Sequence, residues 1–454
     1  MDSFDVFIIG AGQAGPSLSR ALAKQGMRVA LAERKWMGGS CVNFGCTPTK
    51  AAVASARVAH LARRASEFGI GTGSVTVDFP RVIERARNIA VSFREGMHGS
   101  FQQLENPRLI EGHARLEGRE GERFRIRVGD EHFTSTHVVL DTGTRSLLPE
   151  IEGLSSVPFI HAGNWLEKTS LPRRLVMIGG GYIGMEMAQF YRRMGSEVVI
   201  LEPSDRPLVH EDEDVSAALR AVLEREGIEI RTSSRATSIS QATAGLRLTL
   251  TDGQVIDATD LFVATGRKPN TDDLGLETTG VKVSKQGIVE ADERLSSSVE
   301  RIWVAGDIRG GPMFTHTAWD DFRIIESQIV GTSPKTTTGR VIPYAVFTDP
   351  ELGRVGMTET EARKSGKEIR VARYDMAKNA KAIELGEGQG FIKFVVDAGT
   401  NHLLGAAILS VEAAELVHTC IDLMNARVPV SNIRDAIYIH PTLAEALQSA
   451  VLTF

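Results

Sequence analysis

The chain has 454 residues, 42% of them hydrophobic and 24% charged, with a formal net charge of -5. That composition excludes a disordered chain, and the lack of a Lys/Arg-rich run excludes nucleic acid or an anionic membrane as the main partner. No apolar run is long enough to span a bilayer, and Met1-Asp2-Ser3-Phe4-Asp5 carries acids where a secretory leader would carry positive charge; the expected location is the cytoplasm and the expected partner a small molecule.

Val6-Phe7-Ile8-Ile9 is a continuous apolar run, the pattern of a strand buried on both faces. It leads into Gly10-Ala11-Gly12-Gln13-Ala14-Gly15, a helix over about Pro16 to Lys24, and a second strand, Met27 to Ala32, closing with Glu33. This is a complete βαβ nucleotide unit. Gly10, Gly12 and Gly15 permit a tight turn and close approach of a pyrophosphate to a helix N-terminus, and Glu33 is placed to accept a hydrogen bond from a ribose.

Gly38-Gly39-Ser40-Cys41-Val42-Asn43-Phe44-Gly45-Cys46-Thr47-Pro48-Thr49-Lys50 holds two of the three cysteines. As a staple, so short a ring would restrict the unfolded chain by only about 2 kcal/mol. Zinc would need a second ligand pair at metal spacing, and none is present. What remains is a reversible dithiol, with Cys46 near the N-terminus of a helix begun around Pro48, where a thiolate is favoured. Cys420, on an apolar helical pattern, reads as a core residue.

Two helical patterns follow, one to about Phe68 and one over Pro80 to Leu104, the second with Val82, Ile83, Ala86, Ile89, Phe93, Met97 and Leu104 on a packing face. Arg108 to Gly118, Glu122 to Val128 and Glu131 to Leu140 read as strands, ending at Asp141-Thr142-Gly143-Thr144. The nucleotide unit then returns: Leu175 to Ile178, the loop Gly179-Gly180-Gly181-Tyr182-Ile183-Gly184, a helix to about Met194, and a strand ending at Glu202. Gly179, Gly181, Gly184 and Glu202 each lie 169 residues after Gly10, Gly12, Gly15 and Glu33, so two dinucleotide sites are expected. A strand-to-glycine ending like that at Gly143 recurs at Thr265-Gly266-Arg267.

An apolar strand, Ile302 to Ala305, ends at Gly306-Asp307, a carboxylate at a sheet's carboxyl edge. After a Ser/Pro/Thr-rich linker, Gly331 to Gly339, strands at Val341 to Thr348, Phe391 to Val396 and Leu403 to Leu409 precede helices near Val411 to Ala426 and Leu443 to Leu452, the grouping of an α+β domain. Its end, Ile439-His440-Pro441-Thr442-Leu443-Ala444-Glu445, offers His440 as a proton carrier for thiol exchange and Glu445 as its orienting carboxylate.

In the cysteine stretch, both glycine fingerprints, Gly306-Asp307 and His440-Pro441 with Glu445, the chain resembles the flavin-dependent class I pyridine nucleotide-disulfide oxidoreductases, among them dihydrolipoamide dehydrogenase, glutathione reductase and mercuric reductase. The resemblance implies an α/β fold of two Rossmann-like dinucleotide-binding domains, for FAD and NAD(P)H, plus a C-terminal α+β dimerisation domain, divided as 1–150, 151–270, 271–338 (the FAD domain resumed) and 339–454. It implies FAD held by the first unit and Gly143, with Glu33 on the adenosine ribose and Asp307 on the ribityl chain, and a nicotinamide nucleotide at the second unit and Gly266. Tyr182 would gate the flavin face, with Glu186 paired to Lys50 beside it. Cys46 would face the flavin and Cys41 would attack the acceptor, while His440 and Glu445 would reach the site from the other subunit of a homodimer.

Glu202 can hold two ribose hydroxyls and would repel a 2′-phosphate, so NADH is favoured over NADPH, with Arg192, Arg193 and Arg206 as the features that would suit NADPH. Val346 to Glu351 and Ala450 to Phe454 are closest in texture to the mercuric-reductase-like bacterial branch, although no vicinal cysteines lie before Phe454 and His440-Pro441 is kept. The expected acceptor is a small-molecule disulfide or a soft metal ion. No metal site is expected beyond Cys41 and Cys46, and those only if the acceptor is such an ion. Dihydrolipoamide dehydrogenase activity is the alternative within the family, and a flavin redox sensor without turnover the alternative outside it.

Overall fold

The computed structural model describes residues 1–454. The first unit is built from β1 (Asp2–Ile9), α1 (Gly15–Lys24), β2 (Val29–Glu33), the short α2 (Gly39–Asn43), α3 (Cys46–Arg64), α4 (Phe79–Gln102), β3 (Arg108–Glu111), β4 (Ala114–Glu120), β5 (Arg123–Val128), β6 (Glu131–Leu140) and β7 (Thr144–Ser146). The second has β8 (Ile160–His161), β9 (Arg174–Ile178), α5 (Tyr182–Met194), β10 (Glu197–Leu201), α6 (Glu213–Arg225), β11 (Glu229–Arg231), an antiparallel β12 (Ala236–Ala242), β13 (Gly245–Leu250) and β14 (Val255–Ala258), and β15 (Asp260–Val263). The chain returns through β16 (Arg267–Pro269), β17 (Ile302–Val304) and α7 (Thr315–Val330). The last unit holds β18 (Pro343–Val346), β19 (Glu351–Gly356), α8 (Glu359–Lys364), β20 (Ile369–Asp375), α9 (Ala380–Glu384), β21 (Phe391–Asp397), β22 (Leu403–Ser410), α10 (Ala413–Ala426), α11 (Ser431–Asp435) and α12 (Glu445–Val451).

The first sheet runs β3-β2-β1-β6-β5-β4, with β17 added beside β6; the second runs β11-β10-β9-β15-β8, and the last β18-β19-β22-β21-β20. β1 is parallel to both β2 and β6, and Val6 through Ile9 are buried on both faces, as a parallel strand covered by helices requires. In the second sheet β9 lies between β10 and β15 in the same way. β17 pairs with β6 at Val138 to Leu140, which carries Gly306-Asp307 to the edge where β1 delivers the Gly10 loop. β7 and β16 pair antiparallel and join the two nucleotide units. No helix is long and apolar enough to cross a membrane.

Three expectations need correction. Arg108 to Gly118 is two strands, broken at Gly112, whose φ of +143° lies in the region that disfavours other residues. The last unit has β19 and β20 in addition to the three expected strands, and so forms a five-stranded antiparallel sheet. Phe93, expected to pack on the face of α4, is 60% exposed because no other part of the chain covers that turn. Cys420 is buried in the core of the last unit, as expected.

Trp165 ties the units together: it is fully buried, packs edge-on to Phe190 of α5, and donates its indole N–H to the carbonyl of Phe44 in the cysteine stretch at 2.8 Å. Trp165→Ala should destabilise the protein by about 3–5 kcal/mol, and Trp165→Phe by only about 1 kcal/mol more than the lost ring area explains, as measured by urea unfolding.

Candidate functional site

The two glycine loops are geometrical copies. Gly10 and Gly179 have φ of +103° and +108°, and a side chain at either would collide with a backbone carbonyl, that of Asp141 or of Ala264. The acids that close each unit match as closely. Glu33 accepts the Ala11 N–H at 2.9 Å and the Lys35 N–H at 2.8 Å; Glu202 accepts those of Gly180 and Ser204, both at 2.8 Å. Backbone donors thus hold each carboxylate at the carboxyl end of its sheet.

A cavity of about 1230 Å³ runs from Glu33 and Trp36 past Gly10, Gly12, Gly38 and Gly39 to Gly143, Thr144, Gly266 and Asp307, and on to Cys41, Cys46, Lys50, Tyr182 and Glu186. Of the second loop only Tyr182 and Ile183 line it; Gly179, Gly181, Gly184 and Glu202 lie outside its lining. Its floor at Gly12 is bare backbone, since a Cβ there would meet both carboxylate oxygens of Asp141 at 2.9 Å. An extended dinucleotide fits such a cradle, with a phosphate group over the start of α1.

At the far end, Asn43 donates to the carbonyls of Met37 and Gly39 at 2.9 and 2.8 Å and so fixes the turn around Cys41. Cys46 is the first residue of α3 and opens toward the cavity. The thiols are unbridged. A hydrogen bond from Cys41, opposed by burial and assisted by the Thr315 hydroxyl at 3.2 Å and by Lys50, brings Cys46 down to about 6. The same hydrogen bond, with burial, pushes Cys41 far up. Two thiols of the same type are therefore split into a thiolate and its proton donor.

Lys50 Nζ lies 2.9 Å from Glu186 Oε2 and 4.4 Å from the ring centre of Phe347, while the Phe347 N–H donates to Glu186 Oε1 at 2.8 Å. Asp307 accepts the Thr144 hydroxyl at 2.8 Å and sits 3.7 Å from Arg267 Nε, which donates to the same hydroxyl oxygen at 2.6 Å. His440 and Glu445 pair with each other, Nδ1 to Oε1 3.0 Å, and the Thr442 N–H holds Glu445 below the usual carboxylate range. They do not join the rest: the His440 side chain is 72% exposed and lines no part of the cavity.

The sequence reading assigned no role to Thr315 and Phe347, which carry no local motif, or to Thr144 and Arg267, which it offered only as the last residues of the two strand-to-glycine endings. It also missed Asp141, taken only as the end of a strand. Asp141 is buried and accepts the Gly15 N–H at 2.7 Å. Burial pushes its carboxyl well above the ordinary range, against the Gly15 hydrogen bond and with help from Asp321, Asp307 and Glu33.

Family models match residues 4–321 as pyridine nucleotide-disulphide oxidoreductase and residues 342–451 as the dimerisation domain of the same family. The chain is 33% identical to the probable pyridine nucleotide-disulfide oxidoreductase RclA of Escherichia coli (strain K12), over 98% of each chain. A solved structure described as the Cu(II) complex of HOCl-induced flavoprotein disulfide reductase RclA from Escherichia coli matches with a TM-score of 0.90 and 31% identity over the whole of both chains. The chain is also 33% identical to a dihydrolipoyl dehydrogenase of Rhizobium etli, over 99% of this chain and 98% of that one, and 30% identical to a mercuric reductase of Staphylococcus aureus, over 99% and 82%.

Two outcomes follow from the charges at this site. A carboxyl raised in the folded state favours the protonated form there, so Asp141 destabilises the fold progressively as pH rises from its unfolded value toward its folded one. Asp141→Asn should therefore gain stability over the parent with pH, by at most about 1.4 kcal/mol per pH unit, and then level off; unfolding at a series of pH values measures this. Iodoacetamide should alkylate Cys46 of the reduced protein with a midpoint at about pH 6, and Thr315→Val should raise that midpoint.

Proposed function

The chain belongs to the pyridine nucleotide-disulphide oxidoreductase family, and from that premise we propose that it is an FAD-dependent NAD(P)H oxidoreductase that passes electron pairs through Cys46 and Cys41 to a disulfide or a soft metal ion. The observation that carries this reading is the split dithiol at one end of a cavity whose other end is a nucleotide cradle. FAD, when bound, supplies two-electron transfer between the nicotinamide and the cysteine pair.

The remaining work falls to the chain's own residues. Gly10, Gly12 and Gly15 receive the FAD pyrophosphate, Glu33 its adenosine ribose and Asp307 its ribityl chain, with Gly143 beside it. Gly179, Gly181, Gly184 and Gly266 serve the nicotinamide nucleotide, and Glu202 favours NADH. Support for NADH comes from the arginines. Arg193 is buried against Glu226 and Asp349, Arg192 is turned to the Glu226 and Ser196 carbonyls, and Arg206 is turned to Asp205 and the Val209 carbonyl. Lys50 and Glu186 keep a charge pair beside Cys46. With a disulfide acceptor, His440 takes the proton that Cys41 holds as the Cys41 sulfur attacks one sulfur of the acceptor, and returns that proton to the thiolate released when the acceptor S–S bond breaks. The Cys46 thiolate then attacks Cys41 of the mixed disulfide, closes the Cys41–Cys46 disulfide and releases the second thiolate, which takes a proton from solvent. With Cu(II), two ions each take one electron, and the pair, with Cys46 already a thiolate, releases the one proton on Cys41 as the disulfide closes.

His440 and Glu445 are assigned to the site of a second copy, consistent with the dimerisation domain and with their distance from the cavity in one chain. The soft-ion reading draws on the Cu(II) complex of the RclA relative and on the affinity of thiolates for such ions. The equal likeness to dihydrolipoyl dehydrogenase and the His440–Glu445 pair support the second reading, oxidation of a dihydrolipoyl group. We place the protein in the cytoplasm, where a dithiol is kept reducible.

Anaerobic titration of the FAD-loaded protein should show reduction by NADH at lower concentration than by NADPH, with a long-wavelength thiolate band that Cys46→Ala lacks. Absence of the band from the parent would overturn the mechanism. Lipoamide, glutathione disulfide, Hg(II) and Cu(II) then separate the acceptors. His440→Gln should slow turnover with a disulfide about 100-fold or more while reduction by NADH stays within twofold or so of the parent.

A further inference from the structure

Between the second and last units lies a buried polar cluster that the reaction above leaves unused. Glu211, in the loop before α6, is buried; its Oε1 accepts the Tyr344 hydroxyl at 2.6 Å and the Tyr182 hydroxyl at 3.3 Å. Its Oε2 faces Arg354 Nε at 3.0 Å. Arg354 is equally buried and donates through Nη1 to the Ala406 carbonyl of β22 at 2.8 Å, so it is anchored in the last sheet. The rings stack in the same order: Tyr182 lies 5.4 Å from Tyr344, and Tyr344 lies 5.2 Å from Phe314 at an angle of 9°. Burial and the Glu211 carboxylate push the Tyr344 hydroxyl up to about 12, so it remains a donor at neutral pH.

We infer that Glu211 is a positioning residue that fixes the resting place of Tyr182 and thereby sets the affinity for the nicotinamide nucleotide. The inference rests on the reading of Tyr182 as the gate to the flavin face. Glu211 cannot follow a moving Tyr182, because Arg354 and Tyr344 hold it from the other unit. When the ring swings aside it gives up a hydrogen bond to a charged acceptor inside the protein, a bond stronger than one between neutral groups. The closed state is favoured by that difference, and the apparent affinity falls by the fraction of molecules that are open. The last unit, which supplies no glycine loop, would thus influence nucleotide binding through one carboxylate oxygen.

The test is equilibrium titration of FAD-loaded full-length protein with NAD⁺, followed by the change in flavin absorbance. Tyr182→Phe should lower the apparent Kd roughly 10- to 100-fold, the range of one hydrogen bond to a charged group. Glu211→Gln leaves the Arg354 charge buried, so the working variant is Glu211→Gln with Arg354→Met, which removes both charges. It should lower the Kd by a smaller factor in the parent, because the amide oxygen still accepts but carries no charge, and have no further effect in Tyr182→Phe. An equal effect in both backgrounds would mean a structural role and would overturn the inference, as would an unchanged Kd in Tyr182→Phe. Tyr344→Phe, which leaves Tyr182 the only hydroxyl on Oε1, should act with the opposite sign and raise the Kd; a fall would also count against the tether. If the parent flavin shows no response to NAD⁺ or NADH, the proposed function itself fails, a result distinct from all of these.

Discussion

Three units meet at two buried carboxylates, Glu186 and Asp349, and the geometry of the site depends on both. Glu186, on α5, joins Lys50 of α3 to the Phe347 N–H of the last unit. Asp349 takes Arg57 from α3 and Arg193 from α5; burial opposes its charge, yet the two guanidinium groups hold its carboxyl below the usual range. A buried charge is tolerated only when paired, and removing one partner leaves the other stranded. α3, which begins with Cys46, is therefore held in register with α5, which begins with Tyr182. The Cys46 thiol and Tyr182 cannot drift apart without exposing a charge to an apolar interior.

What could be read from the chain alone was whatever the backbone forces into residue type. The Gly10 and Gly179 loops admit no side chain, so the glycines and their offset stand out, and Glu33 and Glu202 follow because the end of the second strand is set by the length of the unit. The cysteine pair was legible for a different reason, its isolation in a chain with almost no others. β19 was not. Its Glu351-Leu352-Gly353-Arg354-Val355-Gly356 lacks the apolar run of a buried strand, and the charge of Arg354 gives no sign that Glu211, some 140 residues earlier, awaits it in the core. Asp141 failed in the same way: an acid after a strand resembles a turn former, and only the bare backbone of Gly12 against it shows that it is enclosed. Thr315 and Phe347 act through contacts made only after all three units have assembled.

The cysteine pair shows how little chemistry is needed to differentiate two identical side chains. Cys41 sits within α2 and donates; Cys46 sits at the start of α3, beside a hydroxyl and an ammonium, and accepts. Each shift reinforces the other, because the proton that Cys41 retains is the one that stabilises the charge on Cys46. The arrangement holds a nucleophile ready at neutral pH without leaving two like charges side by side.

The exposed position of His440, on a segment with Ile437 and Ile439 also open to solvent, separates two kinds of selection. The glycine loops, the cysteine pair and α5 are locked to one another by buried charges and by backbone that admits no side chain, so most changes there are lost with the fold. Residues 437–442 line no part of their own chain's cavity, while Ala446, Leu447, Ala450 and Val451 further along are packed in the core of the last unit. Substitutions on that exposed strip leave the buried charges and the glycine loops untouched, and relatives bearing names as different as mercuric reductase and dihydrolipoyl dehydrogenase fall at similar distances from this chain.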